Sequence, residues 1–264
     1  MRYLGKILPL FYLLFNSCIG DFNKGEAYFN NGQYQDAIEE LNMVLFMDRT
    51  DIKALQLRAR SFEELKQYKE AIKDYQQIIH LDPENAVAFA EIGAVYWKNK
   101  DYQSAEKYLL FAVSHDPDNF DMLLLLGRAM IKNKNYPTAD EFLLLARNLN
   151  PKNSAVYFYR GIAQANMGDP LGTAAQFNMY LKYEPDNLSA LYNRGFAFLR
   201  MGINTWALED FEKVLKAKPD HYEAMARRGV CLLKTDPVQA CEDLRIAFQK
   251  GSKYAQDYLK FCSQ

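Results

Sequence analysis

The sequence predicts an all-α solenoid: about seven stacked helix-turn-helix units followed by a C-terminal capping helix. Three observations predict it. Gly93, Gly127, Gly161, Gly195 and Gly229 recur every 34 residues, and Gly25 and Ala59 continue the register toward the N-terminus. A second small residue follows twelve positions later at Ala37, Ala71, Ala105, Ala139, Thr173 and Ala207, and one position early at Ala240. Pro83, Pro117, Pro151, Pro185 and Pro219 then close successive units. A fixed period of this length marks an array whose units bury their apolar faces against neighbours, not a single globular core.

Each element of the unit follows in order. The two small residues sit where the helices of a pair approach closely. Four positions after the second comes a bulky apolar side chain, at Leu41, Tyr75, Leu109, Leu143, Phe177 and Phe211. Between the small slots lies a polar turn, as in Asn30 to Tyr34, Lys98 to Tyr102 and Asn166 to Pro170. Proline cannot continue a helix, so it ends the unit. The runs Asp82-Pro83-Glu84-Asn85, Asp116-Pro117-Asp118-Asn119 and Glu184-Pro185-Asp186-Asn187 recur at one slot, which makes them helix stops and caps, not calcium loops.

This pattern resembles the tetratricopeptide repeat (TPR), a 34-residue motif with small residues at its eighth and twentieth slots and proline near its end. Phe89, Gly93, Tyr96, Tyr102, Ala105, Leu109, Ala112 and Pro117 fill the motif in order within the third unit. The resemblance implies a right-handed α-solenoid over 18–250, in units of about 18–51, 52–85, 86–119, 120–153, 154–187, 188–221 and 222–250. Arg49, Pro170, Thr173 and a residue lost around Thr235 to Pro237 depart from the motif. After Gly251, a helix placing Tyr254, Ala255, Tyr258, Leu259 and Cys262 on one face is expected to cover the end of the stack over 251–264.

Composition excludes some functions. With 32 basic and 33 acidic residues the net charge is -1, so nothing draws the chain to nucleic acid or to an anionic membrane surface. The aromatic fraction of 14% is high, but Tyr34, Tyr68, Tyr102 and Tyr136 fall at one recurring packing slot.

The N-terminus is unlike the rest. Arg2 and Lys6 precede an apolar run, Ile7 to Phe15, which is too short to span a bilayer and has the layout of a secretory signal over 1–17. Leu14-Phe15-Asn16-Ser17-Cys18 resembles a relaxed bacterial lipoprotein signal, which implies lipidation of Cys18 and anchoring in the cell envelope, on the periplasmic side or at the outer membrane. Phe15 and Asn16 depart from a strict lipobox, so a plain cleaved signal giving a soluble periplasmic protein, an uncleaved anchor and a cytosolic chain stay open. Export would permit a disulfide. Cys241 and Cys262 are a candidate pair, because antiparallel packing of the last helices would bring them together and some bacterial TPR proteins end alike; three buried thiols, with Cys231, are the alternative.

No catalytic constellation, cofactor motif or metal-ligand cluster is legible. His80, His115 and His221 fall near the ends of different units and read as solvated loop residues, and Glu39-Glu40 and Glu63-Glu64 read as a solvated face. The expected function is therefore protein or peptide binding on the concave surface. By the TPR resemblance, the second, fifth, sixth, ninth, twelfth and thirteenth slots line it. They supply Arg60, Trp97 and Arg128 in the middle units, then Phe158, Tyr159, Ile162, Tyr192, Asn193, Phe196 and Arg200. An aromatic floor edged by Arg and Asn suits a partner segment with apolar anchors. The alternative is that Phe158, Tyr192 and Phe196 fill gaps between first helices. The carboxylate clamp of chaperone cochaperones is missing, since the fifth slots hold Phe22, Gln56, Ala90, Leu124, Phe158, Tyr192 and Ala226. Arg160, Arg194 and Arg228, beside the glycines, are expected to tie neighbouring loops.

Overall fold

The structure is a computed structural model and describes residues 20–262. The expected signal segment, 1–17, and Cys18 lie outside the described residues. Fifteen α-helices and a terminal 3-10 turn follow one another, with no strand among the described residues. The chain divides into two compact units, Met1–Ala129 and Met130–Gln264.

The first unit holds α1 (Phe22–Asn30), α2 (Tyr34–Met47), α3 (Ile52–Glu64), α4 (Tyr68–Leu81), α5 (Ala86–Lys98), α6 (Tyr102–His115) and most of α7 (Phe120–Lys132). Its core gathers Leu41, Leu45, Leu55, Tyr75, Ile78 and Ile92. The second unit continues with α8 (Tyr136–Leu149), α9 (Ser154–Met167), α10 (Pro170–Leu181), α11 (Leu188–Arg200), α12 (Asn204–Ala217), α13 (Tyr222–Leu232), α14 (Pro237–Gln249) and α15 (Lys253–Tyr258), then the 3-10 turn Leu259–Cys262. Phe177, Leu191, Phe198, Phe211 and Val214 form its main core.

The recurring slots have physical causes. A methyl group on Gly93 would fall 2.6 Å from Leu109 Cγ, so the helices of that pair meet at the glycine. The unit-ending polar residues cap the next helix: the side chains of Asp51, Asn85, Asn119 and Asn187 accept from the backbone N–H of Ala54, Ala88, Met122 and Ala190. Pro170, a departure from the motif, is the first residue of α10, where no intrahelical N–H is required. Turns inside pairs pass through the left-handed region at one slot, held by Gly32, Gly168 and Gly202 but also by Lys66 (φ 59), Lys100 (φ 62) and Lys134 (φ 64).

At the C-terminal end, Ala226, Leu244, Ala247 and Ala255 are buried together, flanked by Tyr254, Tyr258, Leu259 and Cys262. Cys241 and Cys262 are joined in a disulfide with Cα atoms 5.5 Å apart. Cys231 stays a buried thiol, and burial pushes it up to about 12, which makes it inert.

Candidate functional site

Within each unit the expected binding residues lie on the first helices of the pairs, and their neighbours decide what each is available for. In the first unit the Arg60 guanidinium lies 4.9 Å from the Phe29 ring centroid, and that of Arg128 lies 4.7 Å from that of Trp97. Both pairs join the ninth slot of one repeat to the twelfth slot of the repeat before it. These arginines therefore tie adjacent first helices through cation–π stacking.

Beside them is a buried polar network. Glu63 accepts from the Tyr75 hydroxyl at 2.7 Å and from Lys98 Nζ at 2.6 Å. Glu91 lacks such a cation of its own, and burial followed by the charge of Glu63 raises its carboxyl above the ordinary range, against Arg60 and Lys98. The expectation of a solvated carboxylate face is corrected here. Glu39 and Glu64 are exposed, but Glu40 and Glu63 are buried and ion-paired, to Lys24 and Lys98.

In the second unit the aromatic residues separate into two groups. Phe158 touches Tyr159, Phe177 and Tyr180, with ring centroids at 5.5, 5.9 and 5.1 Å. Phe158, Tyr159 and Tyr180, with Ser154, Ala155, Asn187 and Ser189, line an open cavity of about 360 Å³. Ile162 packs half-buried on the core behind it.

Tyr192 and Phe196 are differently placed. The Arg227 guanidinium lies 5.2 Å from Tyr192, 4.7 Å from Phe196 and 4.4 Å from Tyr254, and it bonds Glu223 Oε2 at 2.6 Å. Burial pushes the Tyr192 hydroxyl up, partly opposed by the Arg227 charge. Here the gap-filling alternative describes the geometry, with the chain's own cation occupying the rings. Asn193 donates to the Ser189 carbonyl at 2.8 Å and is half-buried, while Arg200 is exposed at the end of α11. His221 is not a solvated loop residue. Its Nδ1 accepts from the Ala224 N–H at 3.2 Å, and its ring lies 5.0 Å from Tyr192.

The arginines beside the glycines tie helices rather than loops. Arg58 pairs with Asp74, Arg194 with Asp210 and Arg228 with Asp243, each through two bonds of 2.6 to 2.8 Å, linking the first helix of a repeat to its second. Lys24 and Glu40 occupy the same slots in the first repeat. The third and fourth repeats instead carry Ile92 with Tyr108 and Leu126 with Phe142. Arg160, which faces Gln176 at the acidic slot, turns to Asp140 of the preceding repeat at 2.8 and 3.0 Å. Comparing the seventh and twenty-third slots shows in the sequence which repeats can form the pair and that Arg160 lacks its acid, but not that it turns to Asp140.

Two family models match the chain, a TPR repeat over residues 59–100 and a tetratricopeptide repeat over 96–158. Residues 59–158 are thus tetratricopeptide repeats. The chain is similar to YrrB, described as a TPR protein with an unusual peptide-binding site, at 24% identity over 71% of this chain and 97% of YrrB, with a TM-score of 0.66. The C-terminal part of a TPR repeat-containing protein from Cytophaga hutchinsonii is 19% identical over 90% of this chain and 99% of its own, with a TM-score of 0.68. A TPR protein from Parabacteroides merdae is 18% identical over 92% and 97%, with a TM-score of 0.61. At these identities the likeness is one of fold. No curated protein matches the sequence.

Proposed function

We propose that this TPR protein is a non-catalytic scaffold of the bacterial cell envelope, exported, anchored through Cys18, and holding a partner segment along its first helices. The observation that carries the reading is the aromatic cavity of Phe158, Tyr159 and Tyr180, about 360 Å³ and open, which suits an apolar anchor side chain of a partner. YrrB, of the same fold, has a peptide-binding site. The Cys241–Cys262 bridge supports export, since disulfides persist in oxidising compartments.

A second reading, a subunit that docks a folded partner such as a cell-wall enzyme or a secretion complex, is favoured by other residues. Leu171, Trp206 and Val238 are 67%, 55% and 82% exposed near the starts of α10, α12 and α14, on successive second helices. Crosslinking in the native cell identifies the captured partner, and two variants then divide the readings. Phe158→Ala with Tyr159→Ala is expected to abolish capture, and Leu171→Ser with Trp206→Ser to leave it intact. The reverse result transfers the function to the second helices.

A further inference from the structure

We propose that the C-terminal turn of α2, carrying Phe46 and Met47, is a membrane-contact surface that dips into the bilayer beside the lipid anchor; this rests on the reading of Cys18 as lipidated.

The seven-fold repeat supplies the internal control. At the slot of Phe46 the following five repeats hold His80, Ser114, Asn148, Lys182 and Lys216. Packing therefore does not require an aromatic there. Phe46 is 76% and Met47 66% exposed, the two most exposed large apolar side chains described in the first unit.

The entry of the chain says what covers them. Gly20 lies directly on α2: a methyl group on it would meet the Val44 nitrogen and fall 2.6 Å from the Met43 carbonyl carbon and 2.8 Å from Met43 Cβ. The Asp21 N–H, donating to Glu40 Oε1 at 2.9 Å, holds the same entry point. Residues three and four apart share a helix face, so Phe46 and Met47 continue the face of Met43 that Gly20 covers. Two residues extend at most about 7 Å, and one further helical turn adds about 5 Å, so an acylated Cys18 would be within reach of this patch. A phospholipid surface is the occupant that a lipid anchor at this place brings with it. A Phe and a Met at its edge add apolar insertion to the anchor's own.

The test places a photoreactive phenylalanine analogue at position 46 of the full chain in its native cells, with Phe111 as an exposed control position on α6. Cys18 acylation is read in the same samples with a clickable fatty acid. The expected result is label on the protein and phospholipid adducts at 46, with adduct yield at 111 lower by about tenfold or more, as expected for a side chain outside the interface. Label with no lipid adduct at 46, or with adducts to a second copy or another protein, overturns the surface and leaves the anchor standing. Adducts without label keep the surface and remove the anchor. Loss of both removes both.

Discussion

Deleting the acid of one helix-to-helix ion pair should be costly, and replacing the whole pair should not. Asp210 has a side chain only 2% exposed and binds Arg194, 19% exposed, through bonds of 2.8 and 2.6 Å. Asp210→Ala leaves the partly buried guanidinium with its bond to Asn178 at 2.9 Å and its place 5.8 Å from the Phe198 ring centroid. Breaking a fully buried pair costs about 3–5 kcal/mol; the partial exposure of Arg194 and its remaining bond reduce this to about 2–3 kcal/mol. The third repeat shows the alternative, with Ile92 and Tyr108 at the same two slots. The double variant Arg194→Ile, Asp210→Tyr should therefore return to within about 1 kcal/mol of the parent, a coupling readable as a double-mutant cycle. Urea denaturation followed by far-UV circular dichroism measures both. A double variant as unstable as the sum of the two single changes would refute the exchange of ion pair for apolar pair.

Two further outcomes are expected. Lys66→Gly, Lys100→Gly and Lys134→Gly each replace a left-handed lysine, a strain of about 1–2 kcal/mol, against an unfolded-chain entropy cost of about 0.4–1 kcal/mol. Each should stabilise by about 0.5–1 kcal/mol in denaturant melts, and a loss of stability would show that lysine side-chain contacts outweigh the strain. Glu91 has its folded pKa raised, so it favours folding while protonated and opposes it as pH rises through that value. Glu91→Gln should then stabilise at pH 7 and lose that advantage below the ordinary carboxylate pKa; a gain equal at pH 4 and pH 7 would rule out the titration of Glu91 as its source.

The helix pairs were legible because their marks are local. Gly93 and Ala105 set a close approach, and Asn85, Asn119 and Asn187 cap whatever helix follows, so spacing alone places them. The roles of charged residues were less legible, because a long side chain chooses its partner in three dimensions. Glu40 and Glu39 look alike in sequence, yet one faces Lys24 across the pair and the other faces water. Arg160 sits at the slot of Arg194 but reaches the preceding repeat, because Gln176 offers it no carboxylate. The expected binding residues do fall on the first helices of the pairs, but which of their rings the chain's own cation covers was hidden. That depended on Arg227, whose slot gives no hint that its guanidinium spans Tyr192, Phe196 and Tyr254.

That arginine makes the aromatic face competitive. A partner's cation offered to Tyr192 and Phe196 meets a rival tethered a few ångströms away, whose effective concentration is of the millimolar order typical of short tethers or higher. A weak cationic ligand would be outcompeted there. Trimming Arg227 to alanine would thus lay Tyr192 and Phe196 open to a cation from outside, turning a guarded pair of rings into an accessible one.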